Sequence, residues 1–319
     1  MAELNELLNS SLGNSFKGKD FLTLQDYTTE ELLYILKVAK SLKLNRLQTV
    51  LSGKTLGMIF AKSSTRTRVS FEVGIYQLGG MPLFLNTQDI QLGRGETVAD
   101  TARVLSRYLD GIMIRTFAQD DVEQLAKWGS IPVINGLTDE YHPCQAMADY
   151  LTILERFNKL EGLKIAYIGD GNNVANSLMI GAAKFGLDFS IACPEGFEPP
   201  ASLVNYAEKV GKDTGSNIEI VREPKDAVKG ASAVYTDVWV SMGQEEEMLE
   251  RKRIFSGYQI NNKLMGHAND DAIILHCLPA HKGEEISEEA MEGLQSAVFD
   301  QAENRLHVQK AIMALVMRD

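Results

Sequence analysis

Short, apolar, β-branched runs alternate with longer amphipathic stretches along most of this chain, and that alternation limits the fold more than any other feature. A first series of strand candidates is Leu56–Phe60, Pro82–Leu85, Ile112–Ile114 and Pro132–Ile134. A second is Lys164–Ile168, Phe189–Cys193, Ile218–Val221, Ala233–Thr236, Ile273–His276 and Ala297–Phe299. Helical spacing marks Thr29–Leu42, Thr67–Gln77, Glu96–Leu109, Pro143–Phe157, Ala175–Lys184, Ser202–Val210 and Glu303–Met317. Runs of three to five mostly apolar residues with helices between them read as parallel strands buried on both faces. The expected fold class is α/β, with doubly wound, mainly parallel sheets flanked by helices.

The two series are separated by a polar bend, Asn158-Lys-Leu-Glu-Gly-Leu163. The boundary is placed there, giving a first domain over residues 1–157 and a second over 158–302. The helix Pro143–Phe157 then bridges the halves. The length of 319 residues fits two domains at about 150 residues each. With 45% hydrophobic and 24% charged residues, the chain is neither disordered nor low in complexity. No apolar run approaches the roughly 18 residues that span a bilayer.

The net charge is −11, with no basic stripe, which argues against nucleic acid and anionic membrane as partners. An anion must therefore be held by a local cluster working against the overall field. The three cysteines, Cys144, Cys193 and Cys277, are odd in number and widely spaced, which fits a reducing compartment. Met1–Ser15 carries two glutamates, no Lys or Arg, and no apolar core of a signal peptide. The expected location is the cytoplasm.

The strongest motif is Ser63-Ser-Thr-Arg-Thr-Arg68, which follows a strand and opens a helix. Free N–H groups and a positive dipole end favour anions there, and Ser64, Thr65 and Thr67 add hydroxyl donors. Two arginines oppose the dipole unless a dianion such as phosphate is bound. Residues two apart do not share a helix face, so one arginine meets the anion and the other pairs within the protein. Arg66 is assigned to the anion; N-cap chemistry with solvated arginines is the alternative for the segment alone. In His142-Pro-Cys-Gln145, proline is pre-organised for the first helical position, which puts His142 at the cap. His142 and Gln145 can both hydrogen-bond a carbonyl oxygen, although the segment alone fits a capping histidine better.

Three further segments end strands of the second series. Gly169-Asp-Gly-Asn-Asn-Val174 begins like a dinucleotide fingerprint, but Val174 replaces the last glycine. Its Asn172 and Asn173 offer amides suited to an amino-acid backbone, or a helix cap. Asp237-Val-Trp-Val-Ser-Met-Gly243 puts a carboxylate where α/β sheets meet ligands, and Asp237 could hold an ammonium. His276-Cys-Leu-Pro-Ala-His281 suggests zinc, but no metal-binding spacing supports it, and adjacent side chains on a strand diverge. No metal is expected. A nucleophilic Cys277 would need a neighbouring base.

Taken together and in this order, these five segments resemble the ornithine carbamoyltransferases of the aspartate/ornithine carbamoyltransferase family. The resemblance runs from about Lys17 to the C-terminus. Ser64-Thr-Arg-Thr67 is shared across the carbamoyltransferases; Ser241-Met-Gly243 and His276-Cys-Leu-Pro279 are specific to the ornithine branch. The resemblance implies two α/β domains, the last helix (303–319) returning to the first. It implies that Ser64, Thr65, Arg66, Thr67 and Gln91 bind the phosphate of carbamoyl phosphate, Gln91 from a neighbouring subunit. Arg115 bridges phosphate and carbonyl, His142 and Gln145 meet the carbamoyl group, and Cys277, Leu278 and Arg305 complete that set. Asn173, Asp237, Ser241 and Met242 hold ornithine. Arg115, His142 and Cys277 carry the catalytic roles, the Leu278–Pro279 peptide is cis, no cofactor is needed, and the assembly is a homotrimer or a multiple of trimers. The implied reaction gives citrulline and phosphate in arginine metabolism. Two rivals are an NAD-dependent dehydrogenase, disfavoured by the broken fingerprint, and a non-catalytic binding module, disfavoured because every matched position is intact.

Overall fold

Thr55–Phe60 (β1) is the first strand, and five of its six residues are buried. It pairs in parallel with Met81–Asn86 (β2) on one side and Gly111–Arg115 (β3) on the other, and β3 pairs with Val133–Leu137 (β4). The order β2-β1-β3-β4 reverses at β1/β3, where neighbouring loops leave in opposite directions. The computed structural model describes residues 2–90, 95–240 and 247–319. Chain contacts divide it into one unit of Met1–Ala148 with Asn304–Asp319, and another of Asp149–Glu303.

In the first unit, the helix Thr65–Gln77 follows β1 and packs closely because of Gly74. A Cβ there would lie 3.0 Å from Met313 Cε and 3.3 Å from Lys310 Cγ, side chains of the helix Val298–Val316. A second cluster joins Ile59, Ile112, Ile114 and Val133 to Ala102, Val122 and Leu125 of the flanking helices.

The second unit holds Lys164–Ile168 (β5), Asp188–Ala192 (β6), Ile218–Val221 (β7), Ala233–Thr236 (β8) and Ile273–His276 (β9). All pair in parallel in the order β7-β6-β5-β8-β9, with the reversal at β5/β8. Each sheet is flanked by helices, as a doubly wound fold requires.

The contact division falls between Ala148 and Asp149, inside the helix Pro143–Phe157 that was expected to bridge the halves. The helix start packs with the first unit, where the Cys144 thiol donates to the Asn135 carbonyl at 3.4 Å. Its later residues pack with the second: Tyr150 meets Phe185 edge-on at 4.8 Å, and Gln301 donates to Asp149 Oδ1 at 2.7 Å. Ala297–Phe299 is not a strand. Ile274 N–H donates to the Gln295 carbonyl and Ala297 N–H to the Ile274 carbonyl, a single bridge; Val298 then starts the long helix. Three apolar residues are too few to outweigh the amphipathic stretch that follows. The Gln119–Trp128 helix was not expected; it buries Val122 and Leu125 against the sheet. Among the described residues, no helix is long and apolar enough to cross a membrane.

Candidate active site

In the first unit the loops after β1, β3 and β4 carry the polar residues. Ser64, in extended backbone, caps the helix Thr65–Gln77 by accepting the Thr67 N–H at 3.2 Å. Thr67 is fully buried and its hydroxyl is a meeting point. Arg305 Nη2 donates to it at 2.6 Å, Arg115 Nη1 at 3.5 Å and the Ser64 hydroxyl at 3.0 Å. Arg115 ends β3 directly beside Phe60, the end of β1. Arg305 also donates to Gln145 Oε1 at 3.3 Å and lies 3.4 Å from His142 Nε2.

His142 precedes its helix, and its carbonyl accepts the Gln145 and Ala146 N–H groups. Burial, and then the charges of Arg305 and Arg115, hold the imidazole well below the usual histidine range, so it is neutral near pH 7. The two arginines of the helix start part company. Arg68 donates to Glu72 at 2.9 Å and lies over the Phe84 ring at 3.8 Å. Arg66 Nε is buried with no hydrogen-bond partner among the described residues. Thr65 is exposed, and Gln91 lies outside the described residues.

In the second unit, β8 and β9 end side by side at Thr236 and His276, which sets Asp237 next to Cys277. The Cys277 thiol donates to Asp237 Oδ1 at 3.1 Å, which also accepts the Val238 N–H at 2.8 Å. Asp237 Oδ2 accepts from Asn172 Nδ2 at 2.9 Å. Asn172 caps the helix Asn173–Phe185 through Oδ1, which also accepts from Tyr167 at 3.1 Å. Burial and the nearby carboxylates raise the Tyr167 phenol, which stays protonated and a donor. Asn173 is half-buried at the start of that helix. Ser241 and Met242 lie outside the described residues.

The expected divergence of His276 and Cys277 is corrected. β9 ends at His276, and ligand atoms of Asp237, His276 and Cys277 come within 4.8 Å of one another. His276 is nonetheless unsuited to a metal. Its Nδ1 accepts the Leu278 N–H at 2.9 Å, and its Nε2 faces Glu285 Oε1 at 3.1 Å, so both ring nitrogens are used. The Leu278–Pro279 peptide is cis.

The Gly169–Val174 turn does not fit a dinucleotide. The Gly171 N–H, which would face a pyrophosphate, donates to the Phe197 carbonyl at 2.8 Å. The place of its missing Cβ is taken by backbone, with Pro199 N at 2.3 Å. The close approach that glycine permits is used by the protein itself.

Two family models match. One, described as the carbamoyl-P binding domain of aspartate/ornithine carbamoyltransferase, covers residues 19–155; the Asp/Orn binding domain covers 161–316. The chain belongs to the aspartate/ornithine carbamoyltransferase family. It is 58% identical over 307 residues to the ornithine carbamoyltransferase of Thermococcus kodakarensis, covering 95% of this chain and 98% of that protein. To that of Bacillus subtilis it is 57% identical over 303 residues, covering 95% of each. The solved ornithine carbamoyltransferase of Pyrococcus furiosus superposes with a TM-score of 0.92 at 54% identity, covering 95% of this chain and 98% of that one. The Giardia lamblia structure, at 32% identity, still gives 0.86 over 95% and 99% of the two chains.

Of the residues that the carbamoyltransferase motifs singled out, the first unit brings together Ser64, Thr67, Arg115, His142, Gln145 and Arg305. The second joins Asp237 to Cys277, with Leu278 next in the chain. Tyr167 and Lys62 were missed as contributors, whereas Asn172, read as an amide for an amino-acid backbone or a helix cap, is the N-cap. Its signal was the Asn-Asn pair at the start of an apolar helix. Nothing local marks Tyr167, whose contact is made by the fold.

Proposed function

We propose that this chain is an enzyme that transfers the carbamoyl group of carbamoyl phosphate to the δ-amine of L-ornithine, giving L-citrulline and phosphate. The observation that carries this reading is the convergence of Arg115, Arg305 and Ser64 on the Thr67 hydroxyl, at a helix start where buried Arg66 Nε has no hydrogen-bond partner among the described residues. Donors so arranged in a chain of net charge −11 suit a compact dianion. The Asp237–Cys277–Asn172 cluster suits an amino acid, with Asp237 accepting from its ammonium and Asn173, Ser241 and Met242 completing the hold.

The neutral δ-amine attacks the carbonyl carbon, forming the C–N bond and an oxyanion. Arg115, Thr67 and the neutral His142 donate to that oxygen. The C–O bond to phosphate then breaks, the amine's proton is lost, and Arg66, Arg115 and the helix start hold the leaving charge. Gln145 and Arg305 orient the carbamoyl group. Two substrates held in line supply much of the rate. The test is colorimetric detection of citrulline, with aspartate and putrescine as alternative acceptors. Activity on either of those, and none on ornithine, refutes the reading.

A homotrimer, or a multiple of it, is part of the proposal, with Gln91 reaching a neighbour's site. It is supported by an apolar face in the first unit. Val69, Val73 and Tyr76 form one helical stripe, 51%, 37% and 70% exposed, and edge strand β2 adds Met81 and Leu83 at 56% and 40%. Light scattering after gel filtration measures the mass. A cytoplasmic location, the last part of the proposal, rests on three widely spaced cysteines that form no disulfide with one another.

A further inference from the structure

The loops after β1, β3 and β4 are tied together by backbone bonds. Ala61 N–H donates to the Arg115 carbonyl at 2.8 Å, Thr116 N–H to Leu137 at 3.0 Å and Asp139 N–H to Phe117 at 2.8 Å. One side chain reaches from the first loop to both of the others. Lys62 is only 6% exposed; its ammonium forms an ion pair with Asp139 and sits 4.2 Å from the centroid of the Phe117 ring. A lysine so buried is unusual unless paired. An ion pair whose carboxylate is exposed adds little net stability, so what it contributes here is geometry. The turn it enters carries Ser64, two residues on; the loop of Phe117 follows Arg115, and the loop of Asp139 leads to His142.

We propose that Lys62 is a positioning residue: clamped by Asp139 and Phe117, it holds the Ser63–Thr67 turn in register with Arg115 and His142, and so sets the affinity for the phosphate of carbamoyl phosphate. This rests on the reading of that cluster as the carbamoyl phosphate site. Direct contact with the anion is a poorer account, because the Asp139 carboxylate already neutralises the ammonium.

The test compares Lys62→Met, Asp139→Asn and the double variant by KM for each substrate, kcat, calorimetric binding of inorganic phosphate, and thermal midpoint. Misplacing a binding loop by about 1 Å is enough for a tenfold or larger loss, so each single variant weakens carbamoyl phosphate use and phosphate binding by about tenfold. Ornithine KM stays within about twofold, and the double variant is no worse than the poorer single one. The proposal is overturned if Asp139→Asn leaves phosphate binding unchanged or tighter while Lys62→Met weakens it, since Lys62 would then touch the anion itself. It is equally overturned if neither variant moves the phosphate constants, or if ornithine KM moves as far. Should Lys62→Met fail to fold, Asp139→Asn decides alone, because the Asp139 side chain is 60% exposed. Phosphate binding is read without turnover, so an absence of citrulline in the wild type would count against the functional reading and leave the clamp still testable.

Discussion

Lys310 offers a quantitative test of the first unit's packing. It is fully buried on the helix Val298–Val316, and its ammonium donates to the Arg46 carbonyl at 2.6 Å and to Gln77 Oε1 at 2.9 Å. Gln77 is the last residue of the helix whose first turn carries Arg66. Burial, and then the Arg46 charge, lower the ammonium from 10.5 to about 8. The folded state therefore binds this proton more weakly than the unfolded chain. Below about pH 8 both states are protonated and the full cost of the buried charge is present; between about 8 and 10.5 the folded lysine is neutral while the unfolded one is still charged, and stability rises with pH. At 1.36 kcal/mol per pKa unit the change is about 3 kcal/mol, or some 6 to 12 °C in midpoint for a unit of this size.

Lys310→Met isolates this term. Methionine keeps the apolar stem but leaves the Arg46 carbonyl and Gln77 amide oxygen without their donor, costing about 1–3 kcal/mol each. The absolute midpoint of the variant is thus not diagnostic; the pH dependence of the wild-type–variant difference is. Other groups titrate alike in both proteins and cancel. Circular dichroism melts at intervals from pH 7 to 10 should show the difference moving steadily in favour of the wild type. A difference that stays flat, or moves the other way, refutes a buried, charged lysine at this position.

Arg66→Ala should weaken carbamoyl phosphate use by about 1.5–3 kcal/mol, a tenfold loss or more, read as KM and kcat; values within twofold of wild type would remove it from the phosphate. Mixing inactive Gln91→Ala and Arg66→Ala subunits should regenerate some intact sites if Gln91 acts across a subunit boundary, and no recovery after verified exchange counts against a shared site. An alkylamine like that of lysine has a pKa of about 10.4, so kcat/KM for ornithine should rise between about pH 7 and 8.5; a flat profile would sink attack by the free amine. Cys277→Ser should alter that profile and weaken ornithine affinity with little change in carbamoyl phosphate binding, and an unchanged profile removes the thiol from proton handling.

Strands with apolar side chains on both faces were legible because burial on both sides leaves few alternatives. Ile112–Ile114 and Ala233–Thr236 are cases. The two-residue spacing of Arg66 and Arg68 was also legible, since helix geometry alone sends them apart. Contacts made by strand order were not. β8 lies beside β9, so Asp237 and Cys277 meet across 40 residues of chain. Arg305 reaches Thr67 only because the last helix packs on Gly74. The divergence argument for His276 and Cys277 failed at a strand end, where period-2 alternation stops.

Burial, and after it the charges of Arg305 and Arg115, hold His142 neutral near pH 7, so this cluster of the first unit presents a constant donor set there. A charged His142 beside two guanidiniums would raise the positive field on the anion but lose the lone pair that faces Arg305. A fixed neutral imidazole avoids both a titration and a repulsion. In the proposed reaction the proton that must leave is on the amine, and Asp237 and Cys277, in contact with each other, are its proposed neighbours. On the proposed reading, an acidic chain holds a dianion and a zwitterion by keeping buried cations in the loops of one unit and acceptors in the loops of the other.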